Sequence, residues 1–216
     1  MASQTTKEDI RRNEVADVLE RTAVWVKFHP QQTLWGTLGT AAAALLIAAF
    51  VFRRAQAREE AWSQLSAATT YAYAGQADAA LNQAKSLAES HPATAAAGYG
   101  RLLAADVYFQ QGKYKEAAQA YQNAVDGPGN AAAAPMALSG LALSQEAGGD
   151  CPAAAASAQR FLETHQDNFL APQTHAVLAR CLQTLGKTEE AKAALQRIEI
   201  LYPGTYWEGW AKSHKG

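Results

Sequence analysis

The chain has 216 residues, with 19 Lys plus Arg against 20 Asp plus Glu and a formal net charge of −1. That balance leaves no global field to draw the protein onto nucleic acid or an anionic surface, and a 49% apolar share with a mean hydropathy of −0.23 argues against a polytopic transporter. Alanine supplies 50 of the residues; it is the strongest helix former, and with β-branched residues scarce a sheet-based fold is the least compatible class.

Residues 1–32 form a charge-balanced tail with Lys7, Arg11, Arg12, Arg21 and Lys27 against five acids. From Lys7 to Phe28 the spacing predicts an amphipathic helix with Ile10, Val18, Leu19, Thr22 and Val26 near one face. Such a helix lies along a membrane surface, docks on a partner, or stays solvated.

Residues 33–52 follow, TLWGTLGTAAAALLIAAFVF, 20 residues without a charge. At 1.5 Å per residue that run spans roughly 30 Å, the thickness of a bilayer's hydrocarbon core. Trp25, Phe28 and Trp35 gather at its first edge, where amphipathic rings favour the interface, and Arg53, Arg54 and Arg58 stop it at the other. A single transmembrane helix is expected; the alternative is a buried alanine-rich core helix. The run begins 32 residues in, behind a tail that is not basic, so a retained anchor is expected rather than a cleaved signal peptide. No cysteine follows it closely enough for a lipid attachment. Two basic residues flank it on the tail side and three on the other, which leans toward a cytoplasmic C-terminal part by a single charge and leaves orientation open.

Beyond residue 53 the chain repeats. Gly75, Gly112, Gly149 and Gly186 are spaced by 37 residues each, and Ala80, Ala117, Ala154 and Ala191 follow five residues later. Each glycine sits between two helical stretches, where a helix ends with positive φ and a Cβ is costly. The alanine allows two helices to approach closely. The second helix of each pair ends in turn chemistry: Ser90–Pro92, Asp126–Asn130, Thr164–Asn168 and Tyr202–Thr205. A fixed period of helix pairs predicts an all-α solenoid in which each pair buries its apolar face against its neighbours. Nothing breaks the helix between Thr40 and Ala74, so the apolar span is expected to run into the first repeat helix, about 50 Å of continuous rod. Tyr206, Trp207 and Trp210, within 206–216, read as a capping helix over the open end.

Groups for chemistry are sparse. The histidines at 29, 91, 165, 175 and 214 show no metal-ligand spacing and no paired carboxylates. No G-x-S-x-G, P-loop, G-x-G-x-x-G or C-x-x-C pattern occurs, and Gly127-Pro128-Gly129 reads as a turn because no strand precedes it. The expectation is a protein with no catalytic residues, no metal and no cofactor.

These residues resemble the tetratricopeptide repeat (TPR). The fourth repeat carries the signature at Leu178, Ala179, Leu182, Gly186, Ala191, Leu195, Ile198 and Pro203. The second carries it at Ala104, Ala105, Tyr108, Gly112, Ala117, Tyr121 and Ala124; the first at Ala68, Tyr71, Gly75, Ala80, Leu87 and Pro92. The third departs from it, with Gln145 and Ala158 where large apolar residues are usual. The resemblance implies a TPR-like superhelix over 53–205, in repeats of about 61–92, 98–130, 135–168 and 172–204. It implies a partner-binding groove at Trp62, Leu65, Tyr73, Tyr99, Asp106, Phe109, Gln110, Met136, Arg180 and Gln183. In such a stack Cys151 and Cys181 lie on antiparallel neighbouring helices, so they either form a disulfide, which implies an oxidising compartment, or remain two buried thiols.

The layout of tail, single span and TPR domain is also similar to that of the bacterial ancillary subunits of the SecYEG translocon. That likeness implies an inner-membrane protein with a periplasmic C-terminal domain, bound to the Sec translocon or to envelope chaperones and not to nucleic acid. A membrane-anchored scaffold in envelope protein biogenesis is therefore expected; the alternative is a scaffold that tethers outer-membrane or peptidoglycan machinery.

Overall fold

The computed structural model describes residues 20–22 and 24–215. The part of the expected amphipathic tail helix before residue 20, and position 23 within it, lie outside the described residues; 24–28 are helical. Helix α1 (Pro30–Tyr73) runs for 44 residues without a break. Proline suits its first turn, where the missing N–H has no partner to lose. The chain divides after Ala55 into two compact units, and no β-strand occurs among the described residues.

In the second unit, α2 (Ala77–Ser90) follows α1 after Gly75. Helices α3 (Ala95–Gln110) and α4 (Tyr114–Asp126) form the next hairpin, and α5 (Ala134–Ala147) with α6 (Cys151–Thr164) the third. Helices α7 (Ala171–Thr184) and α8 (Thr188–Leu201) form the fourth, and α9 (Tyr206–Ser213) closes the stack. The turns are the same structure four times. Gly75, Gly112, Gly149 and Gly186 hold φ of 72, 72, 82 and 73°. Behind each, the next backbone N–H reaches back five residues: Gln76 to Tyr71, Lys113 to Tyr108, Asp150 to Gln145 and Lys187 to Leu182, at 2.8–3.0 Å. This satisfies a terminal carbonyl in the Schellman manner and needs a left-handed residue, which an L side chain adopts at a cost of roughly 1–2 kcal/mol.

The same period fills the core. Ala80, Ala117, Ala154 and Ala191 are at most 1% exposed, and Leu87, Ala124, Phe161 and Ile198 are fully buried. A third row, Ala84, Tyr121, Ala158 and Leu195, is also buried but varies in size. Its neighbours vary in compensation. Tyr121 lies over Gly140, where a Cβ would sit 2.4 Å from the tyrosine Cε1. One repeat on, Ala158 shares a cluster with Val177, so large over small becomes small over large. The degenerate third repeat keeps close packing this way.

The first helices touch their successors, α3 on α5 and α5 on α7, while α4, α6 and α8 are not in contact with one another. The stack therefore has a closed layer of first helices and an open layer of second ones. At its end α9 packs on α8 and α7, with Trp207 and Trp210 against the last apolar cluster and Tyr206 exposed.

Gly140→Ala should lower stability by about 1–3 kcal/mol, because the added methyl meets the Tyr121 ring in a packed layer. Urea unfolding of the single variants and of Gly140→Ala with Tyr121→Leu checks this. The double loss should fall short of the sum of the two, and strict additivity would refute the pairing.

Candidate functional site

The closed layer presents one face of α3, α5, α7 and the C-terminal part of α1, and all ten residues expected to line a groove lie on these four helices. Trp62 and Tyr99 have ring centroids 5.9 Å apart at 41°, and Trp62 remains 43% exposed. Leu65 packs on the cluster of Ala61, Leu87, Ala96 and Ala97. Tyr73, at the end of α1, is 90% exposed, and Gln110 is exposed at the end of α3.

The remaining expected residues have partners inside the chain. Asp106 accepts a 2.5 Å hydrogen bond from the Tyr121 hydroxyl. Burial pushes the Asp106 carboxyl upward against the opposing effect of that bond, and burial with the nearby carboxylate pushes the Tyr121 phenol upward too. Phe109 meets Tyr114 edge-on at 5.4 Å, and Phe109 and Met136 pack against the central core. Arg180 donates to both carboxylate oxygens of Glu146, from Nε at 2.6 Å and Nη2 at 2.7 Å. Its guanidinium stands 5.5 Å from the Trp210 ring centroid. That hydrogen bonding holds its pKa above the ordinary value. Gln183 donates to the carbonyl of His214 at 3.0 Å.

The geometry thus sorts the ten residues. Trp62, Tyr99, Tyr73 and Gln110 offer aromatic and amide surface to a partner. Asp106, Arg180 and Gln183 tie one helix to another, and Leu65, Phe109 and Met136 fill the seams. A bidentate guanidinium–carboxylate pair under an aromatic ring is a fixed structural joint.

Cys151 and Cys181 are free thiols, buried in one apolar cluster. Burial, and then the neighbouring thiol, push the Cys181 pKa upward. Among the described residues no group of three or more His, Cys, Asp or Glu gathers closely enough to hold a metal ion.

A concavity lies on the open layer. Between α6 and α8, floored by α7, runs a cleft of about 970 Å³. His175 is on its floor, 6% exposed, with no hydrogen-bond partner for Nδ1 and the Tyr202 ring centroid 6.0 Å away. Burial and then the positive charge of Arg197 hold its pKa down at about 4. In the sequence His175 stands only as one histidine without ligand spacing. The available signal was the period: the residue 37 positions earlier is Leu138, a core residue 3% exposed, so His175 occupies an apolar register.

A family model for the tetratricopeptide repeat matches residues 65–135 and 102–174, and a second matches 178–205. No curated protein matches the chain. Among solved structures it is similar to YrrB, described as a TPR protein with an unusual peptide-binding site, at 20% identity and a TM-score of 0.52, covering 77% of this chain and 84% of that one. It is also similar to TTC0263, a thermophilic TPR protein of Thermus thermophilus, at 19% identity and a TM-score of 0.52, covering 82% and 94%. The apo form of RapI aligns at 12% identity and a TM-score of 0.56, over 66% of this chain and 56% of RapI.

The depressed pKa of His175 has a signed consequence. Above pH 6.5 the imidazole is neutral in both folded and unfolded chains. As pH falls from 6.5 toward 4 the unfolded chain takes up a proton that the folded one refuses. Stability should therefore drop by up to about 3 kcal/mol over that window. Urea midpoints between pH 7.5 and 4.5 measure it, and His175→Gln should show a visibly shallower decline; equal slopes would contradict the assignment.

Proposed function

Because the chain belongs to the tetratricopeptide-repeat family, we propose that it is a membrane-anchored scaffold that holds a protein or peptide partner on the closed layer of its repeats. The observation that carries the anchor is in α1, the one helix among the described residues long and apolar enough to cross a membrane, none of whose apolar window is buried. Leu45, Leu46 and Phe50 are 63–72% exposed there. Leaving such side chains in water costs about 25 cal/mol per Å² of apolar surface, a cost that lipid removes. Trp25, Phe28 and Trp35, all at least half exposed, suit an interfacial belt at one edge. The binding face is supported by Trp62, Tyr99, Tyr73 and Gln110, since aromatic surface with a few amides favours an extended peptide over a highly charged ligand. YrrB, a relative in fold, has a peptide-binding site in its published description.

The finer reading is a chaperone-like role in envelope protein biogenesis at the Sec translocon, with the repeat domain on the periplasmic side of a bacterial inner membrane. Its support is the layout of tail, apolar span and repeats together with the thiols of Cys151 and Cys181, which share one buried apolar cluster and on this reading are bridged in the oxidising compartment. The protein is read as a binding module and not as an enzyme.

Two measurements test this. In intact cells quenched in acid and then denatured, both cysteines should accept a maleimide-polymer tag only after reduction; full tagging without reductant would place the domain in a reducing compartment. On purification in mild detergent, translocon subunits or secretory chaperones should accompany the full chain, and outer-membrane or peptidoglycan machinery in their place would favour the envelope-assembly alternative. Trp62→Ala combined with Tyr73→Ala should reduce partner recovery about tenfold at unchanged helicity, in line with loss of aromatic anchors.

A further inference from the structure

The open layer of second helices carries a feature that partner binding on the closed layer does not use. The cleft between α6 and α8 exists because these helices diverge while α5 and α7 stay in contact beneath them. Both walls carry a pair of small side chains, Ala155 and Ala156 on α6 and Ala193 and Ala194 on α8, among longer ones such as Gln159, Leu162 and Glu190. Helices packed through small residues approach to about 8 Å between axes, so a third helix can settle between the walls with its apolar face on Leu178. Leu201, on the α8 side of the cleft, is 51% exposed and extends the apolar surface toward solvent.

The polar groups define what such a helix carries. His175 is more than nine-tenths buried on the floor, and its Nδ1 has no partner. A buried polar atom left unpaired costs about 1–3 kcal/mol, which an arriving hydrogen-bonding group removes. Arg197, on the α8 wall, is exposed and has no ion pair or hydrogen bond among the described residues, yet its charge is felt at the His175 ring. The other cation of the cleft, Lys187, is already paired with Glu190 at 3.2 Å. On the facing wall Glu163 is exposed and also unpaired among the described residues. One open cation beside a buried, unpaired imidazole, with an acid across from them, suits a single carboxylate on an otherwise apolar or mixed-charge surface; a polyanion such as nucleic acid would be repelled by Glu163 and Glu190.

We propose that the cleft between α6 and α8 is a second docking site, whose occupant is an amphipathic helix of a protein partner that presents a carboxylate to Arg197 and His175. The site is independent of the closed-layer reading: it uses other residues and opens on the layer of second helices.

The test uses the full chain in detergent micelles and a fluorescein-labelled helical peptide of alanine and leucine with one central glutamate, beside its glutamine twin, read by fluorescence anisotropy. The glutamate peptide should bind about tenfold more tightly than the twin, the size of one charge-assisted contact. Arg197→Gln should erase that difference and leave the twin's affinity unchanged. Ala193→Trp, which fills the cleft, should abolish binding of both peptides, while Tyr73→Ala on the closed layer should change neither. Circular dichroism confirms that the variants are folded. Equal binding of the two peptides, or binding that survives Ala193→Trp, would overturn the proposal. So would dodecanoate binding in the cleft where the peptides do not, or blockage of the cleft by self-association of the chain. None of these outcomes bears on partner capture at Trp62 and Tyr73.

Discussion

One contact recurs through the repeat domain: a helix pair bent at a glycine of positive φ and closed by an alanine five residues on. Gly75, Gly112, Gly149 and Gly186 supply the bend, and the alanines that follow are essentially without exposed surface. Reversing a helix in so few residues leaves terminal carbonyls unpaired, and the five-residue backbone hydrogen bonds satisfy one of them each time. The alanine then allows the returning helix close approach. Without both devices the pair splays and the apolar rows at Leu87, Ala124, Phe161 and Ile198 lose their burial. The domain is a one-dimensional array, so each pair depends on this geometry in its neighbours as well as in itself.

The asymmetry between layers follows from how the pairs stack. First helices contact first helices; second helices do not meet. The closed layer accumulates cross-helix joints, of which Glu146–Arg180 under Trp210 and Asp106–Tyr121 are the most developed. These joints remove charged and polar groups from the surface available to a partner, leaving aromatic rings and an amide. The open layer gains a cleft, with alanines in both walls and a histidine in an apolar register on its floor. Both surfaces come from one stacking rule with different side chains placed on it.

Helix α1 serves two environments along a single sequence. Its later turns bury Ala61 and Ala68 and supply Leu65 to the first apolar cluster. Among the described residues, the apolar window of its earlier turns is unburied. A continuous helix can do this because backbone hydrogen bonding is internal to it and indifferent to what solvates the side chains. The change of partner is written in side-chain chemistry alone: an uncharged stretch ends at Arg53 and Arg54, and a pattern with buried alanines begins.

Much of this was legible in the sequence, because the relevant signals are local or periodic. Alanine content, the 37-residue spacing, the bend glycines and the buried alanines after them all follow from backbone conformation and helix contact, which a single repeat encodes in itself. The uncharged 20-residue run is likewise a property of length and composition. Only the tertiary structure decided which groove-facing side chains are free. The resemblance to the TPR puts Arg180, Asp106 and Gln183 on the inner face, but it cannot say that Glu146, Tyr121 and the His214 carbonyl reach across from other helices to occupy them. The exchange of bulk between Tyr121 over Gly140 and Ala158 beside Val177 was equally out of reach, since its partners lie on different repeats. The same holds for His175: alone it is an unremarked residue, and it gains an unpaired atom and a charged neighbour only when α6 and α8 diverge above it. Backbone turns are decided by residues adjacent in the chain; pairing and exposure are decided by residues that only folding brings together.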